Sequence, residues 1–218
     1  MNNKALSFTI ITSSLIAGSA MADYTGLSFE GVANGDGTWT ARIYADFSAE
    51  TDQLNAVFGD PDDTLSISSN GAGFYQNAFG GPTSGDINPA FYDMFPSLLL
   101  DSWVTIGLED QTGNNMLNIG IDWSDFESGN DISTDNGAWF ATPADAQVLA
   151  GSDLRVLVGQ FTMLGLDSHV SGVLNLQGYQ GDFEPFQARN QTFVFPVPAP
   201  GAIALLSIAG LASRRRRI

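Results

Sequence analysis

The chain of 218 residues has no cysteine, one histidine and one lysine, Lys4. Each shortage removes a class of chemistry. Without cysteine there is no disulfide, no thiol nucleophile and no thiolate metal ligand. With His169 alone a multi-histidine zinc site is impossible, and only carboxylate-rich metal sites remain. No Gly-x-x-x-x-Gly-Lys occurs, which removes the usual phosphate-cradling loop. Cations are scarce as well: between Asp23 and Ser213 only Arg42, Arg155 and Arg189 stand against all 24 acids, so this body carries −21 while the whole chain carries −16. Binding a phosphate backbone needs clustered Lys and Arg, so a nucleic-acid partner is excluded. A body this acidic repels polyanions and stays soluble. What is present is a 44% hydrophobic and 11% aromatic composition, enough for one buried core.

Both ends read as addresses. Residues 1–22 have a short n-region with Lys4, an apolar and small-residue run from Leu6 to Ala20, and Ala20-Met21-Ala22 as a small-x-small cleavage site. This is the layout of a secretory signal peptide, with Asp23 as the first residue after cleavage. At the other end, Thr192 to Ser213 holds no charge and four arginines follow, Arg214, Arg215, Arg216 and Arg217. Pro196, Pro198 and Pro200 hold an extended path, so a helix begins only at about Pro200. Pro200 to Ser213 is 14 residues, about 21 Å of helix against a hydrocarbon core of ~30 Å. It spans only where the bilayer thins or where the apolar residues before Pro200 also enter. The arginine cluster stays cytoplasmic, leaving the acidic body outside.

Pro-x-Pro, a short apolar helix and a terminal arginine cluster, in that order, make Val197 to Ile218 resemble the PEP-CTERM sorting signal of exported bacterial proteins. The resemblance covers only these last residues and leaves the body unassigned. Ala199, within Val197-Pro198-Ala199-Pro200-Gly201, stands where the family has an acidic residue, a departure that bears on which variant of the sorting enzyme reads the tail. The resemblance implies that an exosortase, a membrane-embedded transpeptidase-like protease, cuts near Pro198-Ala199-Pro200 and passes the body to the surface or matrix. The inner-membrane anchor would then be transient. A permanent single-span anchor would use the same features.

Between the ends, residues 23–190 alternate with period 2 more often than 3.6. From Thr38 to Phe47, Trp39, Ala41, Ile43, Ala45 and Phe47 point one way and Thr40, Arg42, Tyr44 and Asp46 the other, which predicts a half-buried strand. Similar runs cover residues 24–30, 54–58, 64–68, 103–108, 116–121, 138–141, 154–163, 170–176 and 192–195, separated by turn signals such as Asn70-Gly71 and Gly80-Gly81-Pro82. The expected fold is therefore all-β, a single β-sandwich or jelly-roll-like domain. Residues 191–196 read as a linker to the tail. Residues 88–95 and 143–149, each with proline near the first position, read as loop helices. Ile67-Ser68…Asn70-Gly71-Ala72…Phe74 and Ile132-Ser133…Asn136-Gly137-Ala138-Trp139 share an order of residues that any turn entering a buried strand also produces.

Candidate chemistry in the body is sparse. Asp167-Ser168-His169 holds the letters of a hydrolase triad, but adjacent residues cannot line up hydroxyl, imidazole and carboxylate. Glu109-Asp110, Asp122 with Asp125 and Glu127, and Asp182 with Glu184 offer carboxylate pairs, and Trp103, Trp123 and Trp139 could stack on sugars; nothing fixes the separation a glycosidase needs. No catalytic residue is assigned. Hard oxygen ligands suit Ca²⁺, and the turns holding Asp36, then Asp60, Asp62 and Asp63, then Asp122 and Asp125 are its candidate sites, although none matches the twelve-residue EF-hand loop. Asn190-Gln191-Thr192 fits a glycosylation pattern by chance. The reading is of an exported, surface-sorted, non-catalytic protein of an extracellular matrix, biofilm or adhesion system, meeting an exosortase, the membrane through its tail, and an extracellular glycan or matrix protein. The alternatives are a secreted polysaccharide hydrolase using paired carboxylates and a calcium-dependent adhesion module.

Overall fold

The alternating stretches form strands in the computed structural model, which describes residues 23–34, 38–165 and 168–196. The signal segment with Ala20 and Ala22, the candidate ligand Asp36, and Asp167 lie outside the described residues. So does the whole sorting signal, with Val197, Pro198, Ala199, Pro200 and Gly201 at its start and Arg214, Arg215, Arg216 and Arg217 at its end. Among the described residues no helix is long and apolar enough to cross a membrane.

Eleven strands are seen among the described residues: β1 (Tyr24–Ala33), β2 (Trp39–Phe47), β3 (Gln53–Gly59), β4 (Leu65–Ser68), β5 (Trp103–Val104), β6 (Leu117–Ile119), β7 (Ile132–Thr134), β8 (Gly137–Phe140), β9 (Arg155–Met163), β10 (His169–Gln180) and β11 (Glu184–Pro196). They make two antiparallel sheets. One has the order β1-β2-β9-β5; in the other, β10 pairs β11 along one side and both β3 and β4 along the other. Because β3 and β4 both run antiparallel to β10, they are one strand interrupted at 60–64; β8 and β7, which pair with them, are interrupted in the same way. Edge strand β6 completes this sheet beside β8.

The core between the sheets collects the inward residues predicted by period 2: Ala41, Ile43, Ala45 and Phe47 from β2 meet Leu54, Val57, Trp139, Leu174 and Leu176 from the facing sheet. Phe74, Phe126 and Phe161 form a mutually packed aromatic trio with centroids 5.5 to 6.3 Å apart. Trp139, fully buried, satisfies its indole N–H by donating to the Thr105 carbonyl at 3.0 Å. The outward face of β2 is covered too. Tyr44, Trp103 and Leu157 bury against Ile87 and Leu98, which come from the long segment between β4 and β5. This second small core explains why Tyr44, placed by alternation on the solvent side, is buried.

Several local expectations are corrected. Residues 191–196 are not a linker: they finish β11, where Phe193 and Phe195 pack near Phe29 of β1 and so join the edges of the two sheets. The run at 103–108 is strand only at Trp103–Val104, because Gly107 has φ +80° and a Cβ there would overlap the Gln147 carbonyl. Residues 88–95 form no continuous α-helix. Pro96 holds Phe95 out of the helical region, and the segment breaks into 3-10 turns at Pro89–Phe91 and Pro96–Leu100. Around 143–149 the Asp145 carboxylate accepts from the Thr142 N–H and hydroxyl, a local turn that leaves only a 3-10 turn at Ala146–Val148. One α-helical turn, α1 (Ser124–Glu127), falls instead on the Asp122 to Glu127 run. The two similar segments around Ile67 and Ile132 are neighbours, with Ile67 directly opposite Ile132 across β4 and β7.

Candidate functional site

Two irregularities meet at Asn175 of β10. On one side the chain leaves β3 at Asp60 and rejoins at Leu65 through a tight loop in which Asp60 and Asp63 exchange backbone hydrogen bonds at 3.2 Å. The exit needs a glycine, since a Cβ at Gly59 would overlap the Thr134 carbonyl. On the other side β11 bulges at Arg189 and Asn190, shown by the shift in register between Leu174 and Leu176 and by φ +54° at Asn190. Asn175, fully buried, bridges both. Its Nδ2 donates to the carbonyls of Phe58 (3.1 Å) and Asp63 (2.7 Å), and its Oδ1 accepts the Asn190 N–H at 2.9 Å.

The loop and the bulge then clasp each other. Arg189 reaches Asp60 at 2.8 Å and Asp63 at 2.6 Å, its guanidinium 5.2 Å from the ring centre of Phe58, and Asn190 Nδ2 donates to Asp63 Oδ1. Arg189 holds both carboxyls below the ordinary aspartate range, and they raise its own pKa in turn. Asp60 and Asp63, candidate calcium ligands, therefore face a protein cation; Asp62 is exposed beside them, and the Asp62 N–H donates to Asp60. Asp122 accepts the Ser124 N–H at 3.0 Å, which lowers its pKa, and Asp125 is exposed on α1. Among the described residues no three His, Cys, Asp or Glu side chains come together as a metal site.

Next to this clasp the outward face of the larger sheet holds a groove of about 780 Å³. Pairing sets its floor. Gln187, Gln177, Ala56 and Phe140 lie directly opposite one another across β11, β10, β3 and β8, so their side chains share one face. Ala56 and Ala138 are small where neighbours are large, which makes the depression; Tyr179, Pro185, Thr142 and Pro143 also line it. Arg189 Nε donates to Gln187 Oε1 at 3.4 Å, and Gln187 Nε2 to Gln177 Oε1 at 3.2 Å, so the clasp continues into the groove's amides. No Asp, Glu, His, Lys or Arg is among the lining residues. A smaller hollow of about 320 Å³, lined by Thr51, Gln53, Leu149, Gly181, Asp182 and Phe183, adjoins it through Tyr179 and, unlike the groove, has a carboxylate in its lining. Gln53 Oε1 and Asn55 Oδ1, both buried, have no hydrogen-bond partner.

The remaining candidates are engaged in structure. Trp103 and Trp139 are buried, and Trp123 packs on Trp139 and Phe126 with its indole N–H donating to Asn118. Glu109 grips Arg42 with two bonds of 2.7 Å, Arg155 pairs Glu30, and Ser168 Oγ donates to the Gly165 carbonyl. All three arginines of the body are thus in ion pairs. The groove residues Phe140, Gln177, Tyr179 and Gln187 carry no motif in the sequence. Their one signal is parity: Gln177 and Tyr179 fall out of phase with the inward Leu174 and Leu176.

The chain matches no protein-family model and no curated protein. Among solved structures it is similar to the collagen-binding domain from a Staphylococcus aureus adhesin, with 10% identity, 79% of this chain and 97% of that chain covered, and a TM-score of 0.35. So distant a likeness transfers no ligand.

Proposed function

We propose that this protein is an exported, surface-sorted β-sandwich that works by binding, as an adhesion or matrix component, and not by catalysis. The observation that carries this reading is the groove. The groove of about 780 Å³, on a body with 24 acids, has no carboxylate in its lining, and so no acid and base facing one another there. Of the candidate sugar-stacking tryptophans, Trp103 and Trp139 are buried in the cores and Trp123 is partly buried against them, and none lines the groove. The terminal segments support export by their layout: the small-x-small site ending at Ala22, and Pro198-Ala199-Pro200 followed by an apolar stretch and Arg214 to Arg217. Exosortase is then the processing partner. Fractionation of the native cell tests the reading. The protein is expected at the surface or in the medium in the parent strain and in the inner membrane when the sorting enzyme is deleted; an unchanged distribution would contradict it.

A further inference from the structure

We propose that the groove over β3, β8, β10 and β11 is a binding site for a neutral polysaccharide; the inference rests on the binding role proposed for the body and assigns it a place and a ligand class. β10, β3 and β8 are hydrogen-bonded on both sides, so the floor of the groove offers no free row of N–H and C=O for an extended peptide to join; among the floor strands only β11 keeps an outer edge, and it lies at the rim. Recognition must come from side chains. Those available are ring faces, Phe140 and Tyr179, and neutral hydrogen-bonding groups, Gln177, Gln187 and Thr142. A pyranose chain matches both sets: its C–H face packs on an aromatic ring and its hydroxyls serve as donors and acceptors for amides.

Charge selects among polysaccharides. With no cation in the groove and a body of −21 around it, an anionic chain is repelled and gains no compensating ion pair. A basic ligand finds no carboxylate in the lining either. A second, independent observation is the pair of buried amide oxygens, Asn55 Oδ1 and Gln53 Oε1, which lack partners and belong to residues lining the groove and its adjoining hollow. An orphaned buried acceptor has lost its water without a replacement, a penalty that a ligand hydroxyl reaching it relieves, while Asn55 Nδ2 keeps its bond to the Ala141 carbonyl. The relay from Arg189 through Gln187 to Gln177 fixes two of the amides beforehand, which lowers the ordering cost of binding.

The test is affinity electrophoresis and calorimetry of the purified full chain against neutral maltohexaose, cellohexaose and laminarihexaose, with an oligogalacturonate as the anionic probe. At least one neutral chain is expected to bind and the anionic one not. Tyr179→Ala and Gln177→Ala should each weaken binding by about tenfold. Ala138→Phe, which fills the floor from the solvent side, should abolish it while leaving the melting temperature near that of the wild type. Absence of binding by every neutral chain, preference for the anionic probe, or binding indifferent to Ala138→Phe in a folded protein would overturn the site. Reducing ends released from a bound chain would leave the site standing and overturn the non-catalytic reading instead.

Discussion

Asn175 Oδ1 accepts the backbone N–H of Asn190 at 2.9 Å, so a fully buried side chain in β10 fixes the bulge in β11 that carries Arg189. The same amide holds the Asp60–Asp63 loop through the carbonyls of Phe58 and Asp63. One residue thereby sets the geometry on both sides of the clasp. Asn175→Ala should destabilise the fold by about 2–4 kcal/mol, since it removes the side-chain bonds to the Phe58 carbonyl and the Asn190 N–H and leaves the Asp63 carbonyl with the Asp60 N–H alone. Urea unfolding checks this; a loss below about 0.5 kcal/mol would remove Asn175 from that role.

Arg189 stands between Asp60 and Asp63 where a divalent cation would otherwise neutralise them. Millimolar calcium should leave the melting temperature of the wild type unchanged relative to chelator. In Arg189→Gln the two carboxylates lose their cation, so calcium should now raise the melting temperature. A calcium response of equal size in both proteins would place the metal elsewhere.

The same ion pair has a pH signature. Asp60 and Asp63 are held below their ordinary pKa first of all by hydrogen bonds from Arg189, so the stability they contribute is present above about pH 4 and is lost as pH falls through the depressed values. Arg189→Gln should therefore narrow the gap between melts at pH 6 and pH 3. An equal gap in both proteins would assign the acid sensitivity to other carboxylates.

Asp101 acts in the opposite sense. Loss of solvent raises its carboxyl to about 7, against the pull of N–H groups from Asn77, Gly81 and Ser102. A folded pKa above the unfolded value means stability present below about pH 4 and lost as pH rises toward 7, at up to about 1.4 kcal/mol per pH unit. The affected part is the segment covering Tyr44 and Trp103, because Asp101 joins it through Asn77 and Gly81. Asp101→Asn should flatten the stability profile between pH 4 and 7, measured by urea midpoints at each pH; an unchanged slope would show that another group titrates.

How much of this is legible in the sequence varies by residue. Ala41, Ile43, Ala45 and Phe47 announce their sheet face by alternation alone, and the turn residues mark most strand ends. Tyr44 does not, because the cover formed by Ile87 and Leu98 is set by contacts distant in sequence. The strand at 192–195 is legible in the alternation of Phe193 and Phe195; that it finishes β11 instead of forming a linker is masked by the run of prolines that begins at Pro196. The acidic loop is visible as a cluster of charges. Its partner is not, since Arg189 lies 126 residues beyond Asp63 and reaches it only through a bulge. The groove is least visible of all, being made by small residues, Ala56 and Ala138, where cross-strand pairing places them.

An exported body freed from both of its addresses has a defined mass, and intact-mass spectrometry of the protein recovered from the surface or medium of the native cell reads it. The expected chain begins at Asp23 and ends near Pro198-Ala199-Pro200, without Arg214, Arg215, Arg216 and Arg217. A mass that retains the four arginines would refute processing of the tail.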